Sequence, residues 1–180
     1  MMFEAYVDLL KDHPFEAAFL QFAALGTLGE YVSCIVRRRR LGAGPWQLLG
    51  KMAAWGVLGL VIKMAFAGFD GFTRSVFHKL GLSTTAGVAG LAIPFALAKS
   101  AFTNTFFGPQ MMLFHRWEDN LVMGDRGDYR GMRAAIATLF WFWIPAHTVT
   151  FVLHSEDLQI TLAAFWSVVL GLILGLAHRD

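Results

Sequence analysis

Five runs of about twenty apolar residues, at 15–36, 45–69, 82–107, 134–153 and 158–177, leave this chain few folds to choose from. A helix rising about 1.5 Å per residue needs roughly 20 such residues to cross about 30 Å of hydrocarbon. Backbone groups must be satisfied internally in lipid, and no ten-residue alternating pattern is present, so the runs predict helices and not barrel strands. The expected fold is all-α, a polytopic transmembrane bundle of four to five spans. Hydrophobic residues make up 56% of the chain and charged ones only 16%, too few charges to cover a soluble domain of this size. Cys34 is the single cysteine, which rules out an intramolecular disulfide and a CxxC metal site.

Ahead of the first run, Phe3, Tyr6, Val7 and Leu10 recur at helical spacing, with Glu4, Asp8, Lys11 and Asp12 on the other side. This predicts a short interfacial helix. No removable signal or transit peptide is expected. The stretch 115–133, with Gly124, Gly127 and Gly131, reads as a loop. One domain is expected to fill residues 1–180.

With five crossings, Arg37, Arg38, Arg39, Arg40, Arg116, Arg126, Arg130, Arg133 and Arg179 share a side, against Lys11, Arg74 and Lys79 on the other. The imbalance puts the C-terminus toward the cytoplasm or matrix. The Arg37–Arg40 run is a topology determinant, with anionic lipid headgroups as a second role. The last two runs are separated by only four residues and the first of them contains Pro145, so a re-entrant hairpin is the alternative there.

Ionisable residues inside spans cost roughly 2.5 to 3.5 kcal/mol each at the helix centre and face protein or water. Glu16 and Lys51 lie near span ends and read as snorkelling side chains. Glu30, Lys63, Lys99 and His147 lie deeper. Glu30 sits on a small, polar stripe of the first run and is expected to pair with Lys99 or Lys63, either as a structural salt bridge or beside a water-lined path. Lys99, Thr103 and Asn104 precede Gly108-Pro109, where the helix is expected to break, and form a candidate pore-lining element or a set of interhelical hydrogen bonds. His147, Thr150 and His154 share one face, suiting either a proton relay or plain packing. Gly171 and Gly175 form a GxxxG pair that could join two copies of the chain or pack inside one bundle. No nucleophile and base stand at catalytic spacing, and no cofactor, metal or nucleic-acid motif appears, so neither an enzyme nor a nucleic-acid binder is expected.

The opening Phe3-x-x-Tyr6-x-x-x-Leu10-x-x-x-Pro14, followed sixteen residues later by Glu30 after Gly29, resembles the twenty-two-kilodalton peroxisomal membrane protein family, which includes mitochondrial inner-membrane members. Lys99-x-x-x-Thr103-Asn104-x-x-x-x-Pro109 is similar to that family's Lys, Asp-Gln and Pro pattern, with Thr and Asn at the Asp-Gln positions. Trp143-Ile144-Pro145 and Phe151 are similar to its Trp-Pro and Asn-Phe stretch. The resemblance implies a small channel-like protein of a bacterial cytoplasmic, mitochondrial inner or peroxisomal membrane that passes ions or small solutes. A non-conducting scaffold or accessory subunit with structural intramembrane salt bridges is the alternative.

Overall fold

The computed structural model describes residues 2–39, 42–85, 92–125 and 127–177, without the side chains of residues 2 and 3. The protein is an all-α bundle. Helix α1 (Met2–Asp12) lies before α2 (Pro14–Val36) and α3 (Pro45–Lys79). A continuous helical run follows: α4 (Ile93–Phe102), a π-helical turn (Thr103–Phe107) and α5 (Gly108–Met123). A second such run comprises α6 (Met132–Thr138), a π-helical turn (Leu139–Trp143) and α7 (Ile144–Phe151), and α8 (Glu156–Ala177) closes the order.

Four helical stretches are long and apolar enough to cross a membrane: Pro14–Val36, Pro45–Lys79, Met132–Phe151 and Glu156–Ala177. In the most apolar windows of α2, α3 and α8 only 28% of residues are buried within the bundle. The outward remainder, including Leu20, Met64, Phe165 and Leu172, is a lipid-facing surface. The α4–α5 run goes from end to end of the bundle alongside them but is more polar.

Several boundaries differ from the sequence expectation, each for a local reason. α3 continues past residue 69 to Lys79 because Asp70 meets both Lys99 and Arg74, so its charge does not end the helix. Residues 82–85 form turns after Gly81, whose φ of +67° suits the end of α3, and the next described helix starts at Ile93 and not at 82. Gly108-Pro109 does not break the chain. The widened π turn before it accommodates the ring of Pro109, which lacks an N–H, and the same device precedes Pro145. Most of the expected 115–133 loop is helix: α5 runs to Met123, ends at Gly124 (φ +76°), and only a short connection leads to α6. α5 escapes a hydropathy reading because its polar face turns inward, toward α3, while Trp117 and Leu121 are exposed. Within the connection, Arg130 hydrogen bonds hold the Asp128 carboxyl down to about 2.

Glycines set the helix crossings. A side chain on Gly29 would overlap the backbone of Ser167, and one on Gly171 the backbone carbonyl of Gly29, so α2 and α8 touch main chain to main chain. Gly175 sits against Val36 and Ser33. Both glycines of the GxxxG pair are thus occupied by α2 of the same chain and are not free to meet a second copy. On the other side of α2, Trp55 covers Gly26, Phe19 covers Gly56 and Phe22 covers Gly59. The core between them holds Ala18, Phe22, Leu58, Ile62, Phe66, Ala96, Phe151 and Ala163.

These contacts make α2 antiparallel to α3 and parallel to α8. The α4–α5 run is antiparallel to α3, since Lys99 meets Asp70 near one end and Asp119 meets Lys51 near the other. Arg37, Arg38, Arg39, Arg116, Arg130 and Arg133 fall toward one end of the bundle, with Lys11, Arg74 and Lys79 toward the other. Arg40, Arg126 and Arg179 lie outside the described residues. In a Cys34→Ser background, single cysteines at Arg39 and Asp125 are expected to react with an impermeant thiol reagent from one side of the membrane, and one at Leu80 from the other. Labelling of the first two from opposite sides would overturn this topology.

Candidate functional site

Two charge clusters lie toward opposite ends of the bundle. In the first, the Lys51 ammonium is buried, at 5% exposure, and donates to both Glu30 (2.8 Å) and Asp119. The Trp55 indole donates to the other Glu30 oxygen at 2.7 Å, and the His115 ring packs on Trp55 with its Nε2 4.0 Å from that carboxylate. Arg116 reaches Asp119 at 3.9 Å from the rim. Two carboxylates thus face Lys51 and Arg116, a balance of charge that makes burial tolerable.

In the second cluster, Lys99 is 2% exposed and donates to Asp70 at 3.1 Å, with Gln159 at 3.5 Å and the Phe151 ring 4.4 Å below its ammonium. Lys63 donates to Asp157 at 2.7 Å. The partner of Glu30 is therefore Lys51, and neither Lys99 nor Lys63. The sequence reading erred because it set Lys51 aside as a snorkelling residue and weighed only the deeper lysines as partners of Glu30, while the acids that pair with Lys99 and Lys63, Asp70 and Asp157, lie just beyond the apolar runs. Lys51, expected to snorkel, is drawn inward by two acids. Glu16 does lie at the surface, its side chain 69% exposed and 3.9 Å from His13.

Between the clusters is a cavity of about 250 Å³. Its wall is mainly aromatic and aliphatic, with Phe22, Trp55, Ile62, Phe66, Phe107, Met111 and Trp143 prominent. Glu30 and His115 stand in the wall near the first cluster, and Thr103, Asn104 and His147 elsewhere in it. Of the expected intramembrane residues, the cavity gathers Glu30, Thr103, Asn104 and His147 and leaves out Lys63 and Lys99. The Phe151 ring stands between Lys99 and Phe66, against which it packs edge to face at 4.7 Å.

The polar wall residues are held by local bonds. Thr103 donates its hydroxyl to the Lys99 carbonyl at 2.7 Å. The Asn104 amide donates to the Ser100 carbonyl (2.9 Å) and to His147 Nδ1 (3.1 Å), which places the His147 proton on Nε2. The expected His147, Thr150 and His154 face is not assembled. Thr150 is bonded to the Ala146 carbonyl and the Trp166 indole, and His154 is exposed in the turn beyond α7. Three wall residues carry a buried polar atom with no partner: Trp143 Nε1, Ser167 Oγ and His115 Nδ1. Trp55 and His115 are site residues that the sequence reading missed; Trp55 stands one turn beyond Lys51 on the same helix, and His115 was hidden while 115–133 read as loop. Among the described residues no group of three or more His, Cys, Asp or Glu side chains could hold a metal ion.

The arrangement offers a mainly apolar cavity in the bundle, with Glu30 and His115 of the first cluster in its wall and the packed rings of Phe66 and Phe151 toward the second. No family model, curated protein or solved structure matches this chain.

Proposed function

We propose that this integral membrane protein is a small channel-like protein that lets small solutes cross between the charge clusters, with the conformation described here closed. The observation that carries the reading is the chamber itself: an internal space bordered by Glu30, Thr103, Asn104 and His147, with ionised groups at both ends of the bundle. Closure on one side rests on Phe66 and Phe151, whose rotation would open the chamber toward Lys99 and Asp70. The resemblance to the twenty-two-kilodalton peroxisomal membrane protein family favours the same reading, and with it a bacterial cytoplasmic or organellar membrane.

Small neutral solutes are favoured over bare ions, because each ammonium beside the path is matched by a carboxylate and supplies little net field to an ion. Purified protein in liposomes is expected to accelerate efflux of small polar solutes above protein-free vesicles, with smaller effects on inorganic ions. Folded, inserted protein that passes neither would leave the second reading, a non-conducting scaffold. That reading draws on one specific observation: Lys51, Lys63 and Lys99 are all paired across helices, as helix-locking bridges would be.

A further inference from the structure

A second feature of the chamber concerns what it holds and from where. On the outer face of α3, Met64, Gly68, Phe69 and Phe72 form an apolar groove, and its far wall is Phe107. Phe107 also lines the internal chamber. It is the last residue of the π-helical turn, where the helix is locally widened. Phe107 therefore borders both the interior space and the lipid-facing groove.

The chemistry of the wall narrows the occupant. An apolar cavity of about 150 Å³ accepts a benzene-sized ring, so about 250 Å³ has room for a ring with substituents. The aromatic walls suit a flat ring, since Phe22, Trp55, Phe66, Phe107 and Trp143 all line the chamber. The single ionised wall residue, Glu30, already accepts from Lys51 and Trp55, so a charged ligand would find no counter-charge. What the wall leaves unpartnered is the Trp143 indole N–H, the Ser167 hydroxyl and His115 Nδ1, and the His147 Nε2–H, opposite the nitrogen that Asn104 engages, is a further donor. A ligand that satisfies the donors brings acceptors, and of those a neutral ring can carry, a pair of ring carbonyls is the strong one that keeps the rest of the ring apolar.

We infer that the chamber binds the ring-carbonyl headgroup of a membrane-dissolved lipid of the quinone type, which enters past Phe107 and leaves its tail in the lipid-side groove. Binding does not require transport, so it is read on protein in detergent and stands whether or not solutes cross.

The test compares three probes by the rise each gives in melting temperature: duroquinone, durene, which has the same shape without carbonyls, and decylubiquinone, which adds a tail. The expected result is stabilisation by duroquinone at concentrations where durene gives little, and a larger rise with decylubiquinone. His147→Phe is expected to weaken both quinones about tenfold while leaving durene unchanged. Trp143→Phe removes the other donor and serves the same purpose if His147→Phe fails to fold. Met111→Trp, which fills the chamber, is expected to abolish all three effects. Equal stabilisation by durene and duroquinone would overturn the carbonyl assignment, and binding that survives Met111→Trp would overturn the site. Duroquinone binding with decylubiquinone excluded would overturn the lipid source in favour of a free ring compound. No rise with any probe would overturn the inference as a whole.

Discussion

Lys51→Met is expected to destabilise the protein by about 3 to 5 kcal/mol, read as a large fall in melting temperature in detergent. The variant leaves Glu30 and Asp119 facing one another with their shared cation gone, in a site where the lysine is only 5% exposed. A buried carboxylate without a counter-charge costs more than the pair itself contributes. Adding Glu30→Gln and Asp119→Asn should therefore return most of the loss. If Lys51→Met melts like the parent, the cluster is not the buried anchor described above. If the three substitutions simply add, the groups do not share one site.

Gly171→Val is the other change with a large expected effect. A Cβ at residue 171 would meet the Gly29 carbonyl, and a backbone atom cannot swing aside as a side chain can. The α2–α8 crossing would have to separate, breaking the packing that also places Gly29 on Ser167 and Gly175 on Val36. Overpacking of this kind costs about 1 to 3 kcal/mol and more where nothing relaxes, so the upper end or beyond is expected, with loss of folded protein on purification. Gly68→Ala is the matched control. Nothing lies within 4 Å of its Cβ position, and its stability should be unchanged or slightly higher. Equal behaviour of the two variants would contradict the close crossing.

What the sequence made legible follows from which signals were local. Lipid imposes one demand on every spanning residue, so the apolar runs located α2, α8 and the α6–α7 run well, and the stripe Tyr6, Val7 and Leu10 located α1. Tyr6 then bonds Thr161 and Gln21, joining α1 to α8 and α2. Hydropathy failed where a helix turns its polar face inward. α5 reads as a loop because His115 and Asp119 look like surface residues until α3 is set beside them. Likewise, Gly108-Pro109 carries a strong break signal, and only the π turn that accommodates the proline reverses it.

Within the site, the depth of Glu30, Lys99 and His147 was readable residue by residue, but their partners were not. Pairing depends on which helices adjoin, and that is fixed by glycine contacts such as Gly29 on α8 and Gly59 on α2, which no single-helix pattern contains. A rule would have come closer: each buried lysine seeks an acid at the end of a neighbouring run. Asp70 and Asp157 obey it, and Asp119 lies further along, in α5.

The permeation reading turns on whether the chamber is the route, and Met111 is the place to ask. Methionine is flexible and tolerates replacement, so a larger or smaller side chain at this wall position changes the space with little effect on the fold. Solute efflux from liposomes should be compared for the parent, Met111→Trp and Met111→Ala, each checked for insertion and melting temperature. The account predicts efflux cut by about tenfold or more when tryptophan fills the chamber and raised when alanine enlarges it. Efflux that is the same in all three folded proteins, or absent from all three, would contradict it.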